Sequence, residues 1–178
     1  MGRAAPREPI PGHRFPRRHG ERHHPMTKIL LTLHVLAAIV AVGPVTVAAS
    51  MFPPAARRVP ATDGAVAVGT VRLLYRICRV YAGIGVSVPV LGLATALAMG
   101  VLGSGWLITS IALTAAAAGI LVAFVLPRQE ELLEQLDAEK PVEHSATVQL
   151  AMFTGIFNLL WATVTVLMIV RPGSTTGA

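Results

Sequence analysis

Four long stretches of this chain carry no Asp, Glu, Lys or Arg, and they constrain its fold more than any other feature. They are Ile29–Met51, Tyr81–Leu102, Trp106–Leu126 and Thr147–Val170, of 23, 22, 21 and 24 residues. A bilayer core about 30 Å thick needs about 20 helical residues at 1.5 Å each. Each block therefore crosses with some tilt to spare, and four of matching length argue for an all-α, four-helix transmembrane bundle with short connections. Composition agrees: 53% of residues are hydrophobic and only 13% charged, against about a quarter charged in soluble domains. The helices are expected at about 29–52, 73–102, 106–126 and 147–170, within a domain spanning residues 26–170. The partner implied is the lipid bilayer.

The ends read differently. Residues 1–25 hold six Arg, four His and five Pro and almost nothing apolar, so they are expected to be a disordered basic leader. An apolar helix starts abruptly after Met26–Thr27–Lys28, the way many inner-membrane proteins begin, so Met26 is expected to be the true start. His13, His19, His23 and His24 follow from the composition of that leader, and nothing there sets a ligand geometry. Residues 171–178 are expected to be a disordered tail. The formal charge of +6 owes much to the leader arginines and carries no nucleic-acid motif, so no nucleic-acid partner is expected. The single cysteine, Cys78, excludes an internal disulfide.

Charge in the connections orients the chain. Gly103–Gly105 is a tight turn, so the second and third helices form an antiparallel hairpin and the other two connections share one side. Those connections carry Arg57, Arg58, Arg72, Arg76, Arg79, Arg128 and Lys140, while the opposite side, counted from Met26, has only Lys28 and Arg171. The positive-inside rule places loops 53–80 and 127–146 in the cytoplasm of a multi-pass cell (inner) membrane protein, with the termini outside. The third connection is also acidic, with Glu130, Glu131, Glu134 and Asp137, and its leucines fall at helical spacing. A short amphipathic helix is expected between Pro127 and Pro141. Opposite charges on one membrane face predict ion pairs between the two loops. Arg72, Arg76 and Arg79 share one helix face and suit snorkelling to lipid phosphates.

Inside the membrane, close helix contact relies on small residues. Stripes stand at Ala37/Ala41, Gly92/Ala96/Gly100, Ala112/Ala116, Ala115/Gly119 and Ala151/Gly155. Pro44 and Pro89 predict kinks in the first two helices. Apart from the phenol of Tyr81 at the edge of the second block, His34 is the only ionisable side chain in the four blocks. An unpartnered imidazole there costs several kcal/mol, so it is expected to face protein, with Asn158 and Thr163 forming an intramembrane polar cluster around it. His34 is also the one candidate cofactor-binding residue, for haem or a metal, with Met99 or Met168 as a conceivable second ligand. No catalytic motif occurs: there is no HExxH, P-loop, nucleophile motif or embedded carboxylate pair.

The stretch Leu31–Pro53, LTLHVLAAIVAVGPVTVAASMFP, resembles the opening of domain-of-unknown-function family 2269, a bacterial family of predicted integral membrane proteins. The likeness continues through RLLYRICRVYAGIGVSVPVLGLATAL and so covers much of residues 26–170. It implies a membrane location and carries no activity. A more distant likeness links Leu33–His34 and Gly43 to the copper-resistance D-like and protoporphyrinogen-oxidase J-like membrane proteins. Ala41 stands where their first helix has Trp. In haem-binding relatives that histidine is a ligand, so the likeness implies such a role for His34 alone. The expectation is thus a non-enzymatic membrane protein, with no resident cofactor, and a homo-oligomer as a partner arrangement open to it. A haem-linked protein using His34 and a subunit of a small oligomeric permease are the alternatives.

Overall fold

The computed structural model describes residues 24–59 and 64–173. The expectations for the leader through residue 23, and for the tail from residue 174, lie outside the described residues. Among the described residues the regular structure is helical, with no strand. It comprises α1 (His24–Arg57), α2 (Ala65–Gly85), α3 (Ser87–Met99), α4 (Gly105–Ile120), a π-helix (Leu121–Val125), α5 (Leu126–Asp137) and α6 (His144–Val170). They form four candidate spans: α1, α2 with α3, α4 through α5, and α6. The apolar faces of these spans remain open to the outside, with Ile39, Val90, Val122, Leu159 and Ile169 all more than half exposed. In water such a surface is a liability, and in a bilayer it meets lipid. This is a multi-pass membrane bundle.

The spans are longer than the uncharged blocks. α1 begins at His24, inside the expected leader, and its 34 residues reach about 51 Å at 1.5 Å each. The second and third spans run 35 and 33 residues. All three overshoot a hydrocarbon core of about 30 Å, and most of the excess lies at the end that carries the arginines. What reads as loop from the charges is therefore largely helix. α1 continues to Arg57, α2 starts at Ala65, and the expected amphipathic helix is α5, fused to the third span instead of standing apart.

The largest cluster of buried apolar residues explains this extension. Phe52, Ala56, Val71, Leu74, Cys78, Leu132, Leu133 and Leu136 pack together at the arginine-rich end, joined by Leu150 and Phe157 of α6. On α5 these leucines recur at i, i+1 and i+4 and face inward, while the acids face out. Burial of this stripe keeps the helices ordered beyond the membrane. Pro53 and Pro54 lie inside α1 without ending it. Pro53 is fully buried beside Phe52, so packing offsets the lost backbone bonds. Pro89 acts as expected: it has no N–H for the Gly85 carbonyl, and the second span breaks there, α2 ending at Gly85 and α3 starting at Ser87.

α1 packs against α2, α3 and α6, α4 packs against α6, and α2 meets α5. The tight turn does make the second and third spans antiparallel. Yet α3 and α4 barely touch, apart from Ala96, Trp106 and Leu107 beside the turn. Gly100, read from its spacing as part of a packing stripe, instead ends α3. Its φ of 68° is left-handed, and the next N–H, of Val101, closes a 3.2 Å bond onto the Ala96 carbonyl. Of the other stripes, Ala41 and Ala96 are buried, whereas Ala112, Ala116, Ala115, Gly119, Ala151 and Gly155 face outward.

Candidate functional site

His34 sits on the face of α1 that meets α3. Its Nδ1 lies 3.0 Å from the Val88 carbonyl oxygen, one turn before Gly92. A Cβ on Gly92 would lie 2.9 Å from His34 Cε1, so the missing side chain makes the notch that receives the ring. A carbonyl accepts only, so Nδ1 carries the proton in this contact. The tautomer with its proton on Nδ1 has its lone pair on Nε2, the arrangement a ligating histidine uses. Met168 packs with Ala96, Trp106 and Leu107, at least one turn of α3 beyond Gly92 towards the terminal end.

The expected polar cluster is not one cluster. Asn158 Nδ2 donates to Ser50 Oγ at 3.2 Å. Ser50 is 16 residues along α1 from His34, about 24 Å at 1.5 Å per residue. Thr163 is exposed and bonds the Leu159 carbonyl of its own helix at 2.9 Å. Thr95, Thr109, Ser110 and Thr165 likewise bond carbonyls four residues back. A hydroxyl in a helix satisfies itself this way, which removes the need for a shared site.

At the other end, Arg72 Nη2 lies 2.6 Å from Asp137 Oδ1 and joins α2 to α5, each side chain about half exposed. Arg128 and Glu131 stand 3.8 Å apart within α5. Arg57 Nε donates to the Pro53 carbonyl at 3.3 Å, and Arg79 Nη1 donates to the Tyr75 hydroxyl at 3.4 Å. Among the described residues, Arg58, Arg76, Glu130 and Glu134 make no ion pair. The inter-loop pairing expected from the charges is thus one closed contact between described residues.

Over residues 28–172 the chain matches the family of predicted integral membrane proteins designated DUF2269. The chain belongs to this family. The DUF2269 match covers all four spans, from Lys28 near the start of α1 to just past α6. The family description assigns a membrane location and no activity. Neither the curated proteins nor the solved structures contain a match to the chain.

One residue of this DUF2269 chain escaped sequence reasoning. Gln129 is fully buried at the arginine-rich end, its Nε2 3.5 Å from the Cys78 sulfur, while its Oε1 has no protein partner. It shares the inward stripe of α5 with Leu132, Leu133 and Leu136, three, four and seven residues on. That spacing was legible. Its side chain is polar, so it does not mark the inward face the way the leucines do.

Proposed function

We propose that this family member is a non-enzymatic protein of the cell (inner) membrane whose arginine-rich end faces the cytoplasm and whose termini lie outside. The observation that carries the orientation is the asymmetry of basic residues across the bundle. Arg57, Arg58, Arg72, Arg76 and Arg79 all belong to one end and are exposed there, while the described residues at the other end carry Lys28 and Arg171, the latter over the Trp106 ring, 5.6 Å from its centroid. Basic residues resist translocation, which favours the arginine-rich end inside. A reporter that matures only outside the cytoplasm, fused after Val170, should be active. A fusion at that point that works only as a cytoplasmic reporter reverses the orientation. The non-enzymatic reading rests on the sequence, which holds no catalytic motif, and on the scattering of its intramembrane polar groups over separate contacts.

A second reading concerns His34. Its Nδ1 contact with Val88 fixes the ring and puts the lone pair on Nε2, the nitrogen through which a haem iron would be ligated. Protein purified after haem supplementation should then show a Soret band that is lost in His34→Ala; a spectrum without the band ends this reading. Self-association is supported by the small-residue stripes of α4 and α6, Ala112/Ala116 and Ala151/Gly155, which face outward and stay unused inside the bundle. Cross-linking in native membranes should give dimers or larger species, and monomers alone count against it.

A further inference from the structure

Two contacts set the register of α2 against α5. Arg72 meets Asp137 at 2.6 Å, and Cys78 meets Gln129 at 3.5 Å. Six residues forward on α2 correspond to eight residues back on α5, so the two helices run antiparallel. Arg79 lies seven residues after Arg72, and Glu130 lies seven before Asp137. Seven residues are two helical turns less about 20°, a displacement of about 10.5 Å on nearly the same face. Arg79 and Glu130 therefore stand in the same relation to each helix as the pair that is already closed. Arg76 and Glu134 fall between them, four residues after Arg72 and three before Asp137. The Cys78–Gln129 contact, one residue from both Arg79 and Glu130, keeps the helices together at that depth.

We propose that α2 and α5 carry a three-rung antiparallel ion ladder, Arg72–Asp137, Arg76–Glu134 and Arg79–Glu130, which latches the second and third spans together. The structure has its outer rung closed and its inner rungs open, with the Arg79 guanidinium resting on the Tyr75 hydroxyl at 3.4 Å. Arg128, the one basic residue of α5, is turned to Glu131 and leaves Glu130 available. Depth favours closure of the inner rung. Arg79 and Glu130 lie within a turn or so of Tyr81 and Leu126, where the uncharged blocks meet the connections, and a charge pair gains strength as the surrounding dielectric falls. The latch matters because α3 and α4 barely touch. Among the described residues, the second and third spans have little direct contact between the turn and the α2–α5 packing. Opening the ladder releases that seam towards lipid, and closing it draws the spans together. The inference is independent of which side of the membrane this end faces.

The test is a charge exchange in the full chain, reconstituted in lipid nanodiscs. Arg79→Glu and Glu130→Arg should each lower the thermal midpoint by about 3–6 °C, and the double exchange should recover at least half of the loss. Pairing Glu130→Arg with Arg58→Glu, an exposed arginine at the end of α1, should recover nothing. Should the reversals fail to insert, the neutral cycle of Arg79→Gln, Glu130→Gln and their double decides, with the double losing no more than the worse single. Recovery or non-additivity in either cycle supports the ladder. Losses that simply add in every cycle that yields folded protein, or equal recovery with Arg58→Glu, overturn it.

Discussion

Gly92 and His34 form a shape-matched pair, and their coupling can be measured. Gly92→Ala places a methyl 2.9 Å from His34 Cε1, so the ring must move and its 3.0 Å contact with the Val88 carbonyl lengthens. The expected cost is about 1–2 kcal/mol, the sum of mild overpacking and a weakened hydrogen bond. In a His34→Ala background most of that cost should vanish, because the atom in the way is gone. Thermal unfolding in detergent of the two singles and the double checks this, and additive losses refute the contact. Gln129 invites the opposite kind of change. Its Oε1 is buried without a protein partner, and its amide reaches only a thiol. Replacing it by the similarly shaped Met should leave stability unchanged or raise it by about 1 kcal/mol, since it removes a polar group that is poorly satisfied. Cys78 is fully buried among the same side chains. A maleimide should label it slowly in the folded protein and rapidly after denaturation in SDS.

At the scale of elements, proline behaves according to what packs around it. Pro53 passes through α1 where the helix is pressed into the core, with Pro54 following it on the exposed face, whereas Pro89 divides the second span. The third span widens into a π-helix just before Pro127, with the Leu126 N–H bonded to the Leu121 carbonyl, five residues back. A wide turn next to a residue without an N–H is one way for a helix to continue past it. The outer contact between α2 and α5 is a half-exposed ion pair, and such pairs are weak. A double-mutant cycle on Arg72→Ala and Asp137→Ala should give a coupling below about 1 kcal/mol that shrinks in high salt. A salt-insensitive coupling of several kcal/mol would mean that the pair is far better shielded than its exposure implies.

For the whole molecule, the largest buried cluster stands at one end and the lipid-facing surface covers the rest. The overhanging helices are held by that cluster, so they should be as ordered as the spans themselves. Hydrogen exchange in nanodiscs should find α5 protected, with rapid exchange in the link Ala138–Glu143. Rapid exchange throughout residues 126–137 would show that the acidic segment is a loop after all. The same asymmetry explains where sequence reasoning succeeded and failed. Charges mark the membrane boundaries well, because no arginine or glutamate sits cheaply in hydrocarbon. They say nothing about whether the chain beyond the boundary is coil or helix, so the start of α2 at Ala65 lies well before its expected bound, whereas the leucine spacing does place α5.

Four crossings, their antiparallel order and the membrane setting were decided by the sequence alone, because hydrocarbon admits only long uncharged helices that satisfy their own backbone. Which polar groups meet was decided by the tertiary structure. His34 turns to the Val88 carbonyl because Gly92 leaves room for its ring, and Asn158 finds Ser50 far from it. Those pairings depend on which faces of α1 the third and sixth helices cover, and the order of residues along one chain does not contain that.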